Sequence, residues 1–178
     1  MKCIPALLLL IGLLAPLSTV LAEDPFPTPA PSANRLFYIQ RSNNANTVIY
    51  EANLQGNRQL NPEEPLNVYW IRYAERSQRE PLSMMQWKLA YGYRHQRQGK
   101  AADELDIRLN AFKKQAIRVA VRQGKPVALT SIGGRTACLQ RVFVKVDPNS
   151  GLLPKVLYLE LFGTDAEEGK PVYERINI

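Results

Sequence analysis

The chain has 178 residues, with 23 Lys and Arg against 16 Asp and Glu for a formal net charge of +7, a length suited to one domain with a substantial core. It contains 1 His and 2 Cys, which excludes zinc centres built from several His or Cys ligands. No G-x-S-x-G, no G-x-G-x-x-G and no glycine loop leading into a phosphate-binding lysine occurs, so the common nucleophile and nucleotide machinery is missing.

The chain opens MKCIPALLLLIGLLAPLSTVLA, where Lys2 precedes an apolar run from Ile4 to Leu14 and Val20-Leu21-Ala22 supplies a peptidase site. This is the pattern of a secretory signal peptide, too short to span a bilayer. A lipid anchor is not expected, because Cys3 stands at the wrong end of the leader. Cleavage near Ala22 would leave 156 residues with Cys138 as the sole thiol, and hence no intramolecular disulfide. In TACLQRVFVKV this cysteine reads as a buried, inert side chain. The expected location is periplasmic or secreted, with no later transmembrane segment.

Residues 23 to 34, EDPFPTPAPSAN, hold four prolines and read as an extended spacer before a single β-rich domain over 35–178. Nine runs of β-branched and aromatic residues follow, at 36–40, 47–54, 67–74, 104–112, 115–123, 126–132, 136–146, 155–163 and 171–178. Glycine-bearing linkers at 123–125, 133–135, 147–151 and 164–170 predict tight hairpins, so the last six strands read as a meander. Between them, EPLS introduces a helix over 82–91, which Gly92 ends. Leu82, Met85 and Leu89 form one apolar stripe and Met84, Trp87 and Tyr91 another, predicting that the helix crosses a sheet face or plugs a barrel end. The fold class is therefore mainly β: an antiparallel up-and-down barrel or sandwich of about eight or nine strands with one helix, closed to avoid free edges.

Charge is uneven. From Arg72 to Lys125 there are 13 Lys and Arg against 5 Asp and Glu, a balance of +8, while the rest of the chain after Ala22 holds 9 against 11. A solvated basic face explains this, and it also favours anionic partners. Nucleic acid is not expected, since the basic zone lacks an aromatic ladder.

The stretch NRLFYIQRSNNANTVIYEANL, residues 34 to 54, places RSNNAN between two apolar runs. Asn43, Asn44 and Asn46 suit a turn without any ligand. Arg41, Glu51, Asn53 and Arg72 are more demanding, because each interrupts an apolar run and a buried charge needs a partner. If the face of strand 47–54 bearing Glu51 and the face of strand 67–74 bearing Trp70 and Arg72 both point inward, an Arg72–Glu51 pair lines a polar cavity beside Trp70. RSNNAN then reads first as a turn and second as a pocket rim. The candidate ligand-binding residues are Arg41, Asn43, Asn44, Glu51, Asn53, Trp70 and Arg72, with no metal ligand, cofactor or catalytic residue assigned.

Catalysis has two weak footholds. His95 lies among Arg94 and Arg97, where positive charge disfavours the imidazolium a general base must become. Glu51, Glu160 and Glu174 lie in predicted strands and could act as a carboxylate pair of an envelope hydrolase only if two stood about 5 to 9 Å apart.

The segments QRSNNANTVIYEANL, NVYWIRYAE, KLAYGY and KVLYLELFG, in that order, resemble the landmarks of a family of small exported bacterial proteins known as domain of unknown function 4833. The resemblance runs from about Asn34 to the C-terminus and implies export and a single domain; it carries over no site residue. Taken with the basic zone, these features lead to the expectation of a non-enzymatic exported β-barrel protein binding a small or envelope-derived anionic ligand. An envelope hydrolase, or a purely structural or interaction module, stands as the alternative.

Overall fold

The computed structural model describes residues 26–56, 58–97, 104–150 and 154–178. The leader, the first residues of the proline-rich stretch and part of the linker at 147–151 lie outside them. Among the described residues eleven strands are hydrogen-bonded into one sheet: β1 Arg35–Arg41, β2 Asn44–Ala52, β3 Leu66–Arg72, β4 Gln78–Pro81, β5 Tyr93–Arg97, β6 Glu104–Leu109, β7 Ile117–Arg122, β8 Lys125–Ile132, β9 Arg135–Val146, β10 Val156–Asp165 and β11 Pro171–Asn177. The fold is mainly β, a strongly curled mixed sheet forming a half-barrel with one short helical segment.

The long strand β9 organises the sheet. Along one edge it pairs with β10 over nearly its whole length. On the other edge Arg135 to Cys138 pair with β8, whereas Arg141 to Val144 pair with β1. The sheet therefore divides at Leu139 and Gln140 into two wings, β1-β2-β3-β4 and β8-β7-β6-β5. Both wings bury apolar residues in one cluster that includes Phe37, Tyr50, Trp70, Ile107 and Val119. Phe37 and Tyr50 stack with ring centroids 4.4 Å apart, a contact worth about 0.5–1.5 kcal/mol beyond the area it buries.

Polar ties also link the first wing to β5 and to the segment that leads into it. The Tyr50 hydroxyl donates to the Tyr91 carbonyl at 2.7 Å. The Tyr93 hydroxyl accepts from the Leu66 N–H at 3.1 Å and donates to the Leu66 carbonyl at 3.2 Å. Burial, offset in part by that backbone bond, pushes the Tyr93 phenol up to about 12.

Turn chemistry follows the sequence closely. Gln123 and Gly124 both take positive φ between β7 and β8, as do Gly133 and Gly134 between β8 and β9, the geometry that two-residue hairpins need. RSNNAN is a turn: Arg41 pairs with Asn44, leaving Ser42 and Asn43 between the strands. Ser42 Oγ accepts from the Val146 N–H at 3.0 Å, which pins this turn to the end of β9.

Four departures from the sequence reading stand out. Two further strands, β4 and β5, occupy the free edges of the wings. The β1–β9 pairing is parallel, so the first strand docks beside the ninth instead of continuing a meander. The helix begins later, at Met84, because Pro81 belongs to β4 and Ser83 is the N-cap, with its hydroxyl and the Gln86 side chain forming a capping box. After one turn it widens into a π-helical turn, Trp87–Tyr91, closed by the Gly92 N–H donating to the Trp87 carbonyl at 2.9 Å. Leu82 and Tyr91 pack on the core, but Met84, Met85 and Leu89 face solvent, so this segment plugs nothing along that side. The end of the proline-rich stretch lies along β1: the Gln40 amide donates to the Pro27 carbonyl at 2.9 Å, and Phe26 packs against Phe143.

Candidate functional site

Pro81 ends β4 opposite Tyr69, and β4 pairs with β3 only over Tyr69 to Arg72. The neighbouring edge of β3, at Asn67 and Val68, is left without β4 beside it. An open cleft of about 400 Å³ lies here, lined by Glu64, Asn67, Val68, Tyr69, Arg79, Pro81 and Trp87. Its size falls within the range of small-molecule sites.

The local sequence builds this cleft from both sides. Alternation puts Asn67 and Tyr69 on one face of β3, and the diagonal neighbour Arg79 on β4 lays its guanidinium over the Tyr69 ring, 3.6 Å from the centroid. Among the described residues no carboxylate forms an ion pair with Arg79. Burial, and after it the charge of Glu51, raise the Tyr69 phenol above its ordinary value, so at neutral pH the hydroxyl keeps its proton beside the Glu51 carboxylate. Trp87 enters from the π-helical turn with its ring 5.4 Å from that of Tyr93. The site thus offers a stacked guanidinium, two aromatic faces, an amide and a carboxylate. Such a set can bind and orient a small polar molecule; it contains no nucleophile paired with a base.

The structure divides the residues singled out from sequence. Direct partners across β2 and β3 are Glu51 with Asn67, Ile49 with Tyr69 and Val48 with Trp70. Glu51 therefore shares the face of Asn67 and Tyr69, while Trp70 and Arg72 lie on the opposite one. The expected Arg72–Glu51 pair does not form. Arg72 is 2.7 Å from Glu80 through Nε and 3.2 Å from Glu75 through Nη1; the Nε contact is close but poorly aligned as a hydrogen bond. Trp70 is a core residue, 2% exposed, whose indole donates to Gln86 Oε1 at 3.2 Å.

Arg41 stands over Trp70 and Tyr91, with its guanidinium carbon 5.0 and 5.8 Å from the ring centroids. Its Nε is buried without an acceptor among the described residues. Asn44 Oδ1 accepts from the Asn46 N–H at 3.0 Å and lies 3.5 Å from Arg41 Nη2, and Asn43 is exposed at the turn. The amides thus serve the turn, and the polar cavity expected around Arg72 is not assembled.

Glu51 and Asn53 contribute to the cleft from behind. Glu51 lies beside Tyr69, and Asn53 Nδ2 donates to the Glu64 carbonyl at 2.8 Å, fastening the loop that brings Glu64 to the rim. Tyr69, Arg79 and Trp87 were missed by sequence reasoning. The face shared by Asn67 and Tyr69 was legible in the alternation of β3, but QREP carries no strand signal and Trp87 reads as one more apolar helix residue.

The three strand carboxylates do not converge. Glu160 accepts from Arg175 at 2.7 Å and from the Tyr173 hydroxyl at 2.8 Å, on the opposite face of the β10–β11 ribbon from Glu174. Glu174 accepts the Gly133 N–H at 2.8 Å, and Glu51 lies beside Tyr69 on the outer face of β2 and β3. His95 is exposed on β5, with its ring 6.0 Å from that of Tyr93. Cys138 is half-buried in β9. Among the described residues no three His, Cys, Asp or Glu side chains gather as metal ligands, and no helix is long and apolar enough to cross a membrane.

A curled β-sheet with an open cleft at the edge of one wing defines the class of protein. The chain belongs to the family described as domain of unknown function (DUF4833), whose model matches residues 37–175. No curated protein and no solved structure matches it.

Proposed function

We propose that the protein is an exported, non-enzymatic binding protein that takes a small or envelope-derived ligand bearing an anionic group in the cleft between β3, β4 and the π-helical turn. The observation that carries this reading is Arg79, a cation held flat on Tyr69 at the cleft with no carboxylate pairing it among the described residues. A guanidinium fixed in this way can engage a phosphate or carboxylate in bidentate fashion at little entropic cost. Trp87 and Pro81 supply apolar surface for the rest of the ligand, and Asn67 with Glu64 supplies hydrogen-bonding groups. The leader-like N-terminus and the excess of basic residues from Arg72 to Lys125 support export and anionic partners.

The test is a thermal-shift screen against phosphate-bearing metabolites, fatty acids, lipopolysaccharide fragments and glycans, repeated with Arg79→Gln. Stabilisation by an anionic member that falls at least about tenfold in apparent affinity in Arg79→Gln, but not in Asn43→Ala, is expected. Stabilisation by neutral glycans that Arg79→Gln leaves unchanged would remove the anionic part of the reading.

A further inference from the structure

Half of the large hydrophobic side chains exposed among the described residues lie on one short segment. Met84, Met85 and Leu89 are 74%, 71% and 66% exposed, three of six such residues. Met85 and Leu89 are four apart and Met84 stands beside them, with Lys88 four residues beyond Met84, so apolar groups and a cation share the outer side of the turn. This side is held out by a rigid base. The Ser83 capping box fixes its start, Leu82 and Tyr91 root it in the core, and the Asn110 and Ala111 N–H groups donate to the carbonyls of Gly92 and Ala90 at its end.

Within this segment and β5 the charged side chains are all cationic. From Leu82 to Arg97 the chain carries Lys88, Arg94 and Arg97 and no Asp or Glu. Arg94 on β5 stands directly opposite Arg108 on β6, both exposed, and neither forms an ion pair among the described residues. Like charges placed opposite each other on a sheet are destabilising unless an anion comes between them or outside them. Arg94 is two residues beyond Gly92 and Arg108 two before Asn110, so both flank the point where the apolar segment joins the sheet.

We propose that this segment is a docking surface for a lipid bilayer bearing anionic headgroups, with Met84, Met85 and Leu89 entering the acyl boundary and Lys88, Arg94 and Arg108 meeting the headgroups. Flexible, unbranched methionines suit an irregular lipid surface, and cations near an anionic leaflet raise partition by about fivefold each. The two contributions together give reversible peripheral binding. The reading is independent of the ligand cleft, because it uses none of the polar groups that line it.

Vesicle co-sedimentation tests it, using the chain from Glu23 onward so that the apolar leader does not itself insert; all described contacts lie downstream of that point. Phosphatidylcholine vesicles with about 30% phosphatidylglycerol are compared with phosphatidylcholine alone. Binding to the anionic vesicles is expected to exceed that to the neutral ones by about tenfold or more, and to collapse between about 0.1 M and 0.5 M salt. Met84→Ser with Met85→Ser and Leu89→Ser, and separately Arg94→Gln with Arg108→Gln, should each lower binding by about tenfold while melting at or near the wild-type temperature. Wild-type binding no stronger to anionic than to neutral vesicles overturns the proposal. So does binding unchanged in the serine variant. A dimer in sedimentation velocity that the serine variant abolishes, without vesicle binding, would assign the surface to a second copy of the chain instead.

Discussion

Arg79 on β4 lies diagonally across from Tyr69 on β3, with its guanidinium 3.6 Å from the ring centroid, and this stack places a cation at the edge of the cleft. Both partners are solvent-accessible, so the stack adds little to stability. Arg79→Ala should destabilise the fold by only about 0.5–1 kcal/mol in denaturant unfolding. A loss above about 3 kcal/mol would mean that Arg79 is part of the framework.

Arg72 is a surface ion-pair residue. Its ion pairs with Glu80 and Glu75 are partly exposed, so Arg72→Met should cost about 1 kcal/mol or less. A double-mutant cycle between Arg72→Met and Glu80→Gln should return a coupling of about 0.5 kcal/mol, and the same cycle with Glu51→Gln should be additive, because Glu51 lies on the other face. Coupling to Glu51 above about 1 kcal/mol would contradict the strand register.

The contacts of Tyr50 and Gly92 with the π-helical turn tolerate little change. Tyr50→Phe removes the donor to the Tyr91 carbonyl inside the core and should cost about 1–3 kcal/mol. Gly92→Ala should cost a similar amount, about 1–3 kcal/mol, because a Cβ there would overlap the Trp87 carbonyl and crowd Asn110 Nδ2. The backbone at Gly92 is not left-handed, so its requirement for glycine is one of space alone. Urea unfolding of both variants with unchanged m-values checks this.

Acid should loosen the β10–β11 turn at a defined point. The backbone N–H groups of Glu168 and Glu167 hold the Asp165 carboxyl below its ordinary value, against the opposing effect of burial and with a smaller lowering from Arg135. Both backbone bonds are 2.8 Å long. A depressed folded pKa contributes stability that is present above the unfolded value, about 3.9, and is lost as pH falls through the folded one. The difference in melting temperature between wild type and Asp165→Asn should therefore be constant above about pH 5 and shrink below about pH 4. A gap that persists unchanged to about pH 2 would contradict the assignment.

Most strands were legible because period-two patterns and Gly-bearing turns are local signals. The edges were not. QREP and YRHQR pair on one side only and carry mostly exposed polar residues, so nothing in their composition reports a strand, although charge is what a protected edge requires. The β1–β9 contact joins residues about a hundred positions apart, beyond the reach of any turn signal.

The same locality explains the divided site. In β2, Thr47 and Ile49 are as deeply buried as Val48 and Tyr50, so both faces of the strand are covered and the alternation carries no mark of which one looks inward. Glu51 was singled out as a carboxylate in need of a partner, but it lies on the outer face beside Tyr69, away from Arg72. In β10, Leu159 and Leu161 are buried on one face, while the other carries Tyr158 beneath Arg175 and Phe162 beneath Arg141.

The most direct test of the cleft is an NMR titration of the 15N-labelled protein with inorganic phosphate, glucosamine 1-phosphate and laurate in turn, following backbone amides and the two tryptophan indoles. Binding at the proposed place predicts shifts at Asn67, Tyr69, Arg79 and the Trp87 indole, with the buried Trp70 indole unmoved. Shifts centred on Arg41 and Trp70, or anionic probes that move no cleft resonance, would contradict it.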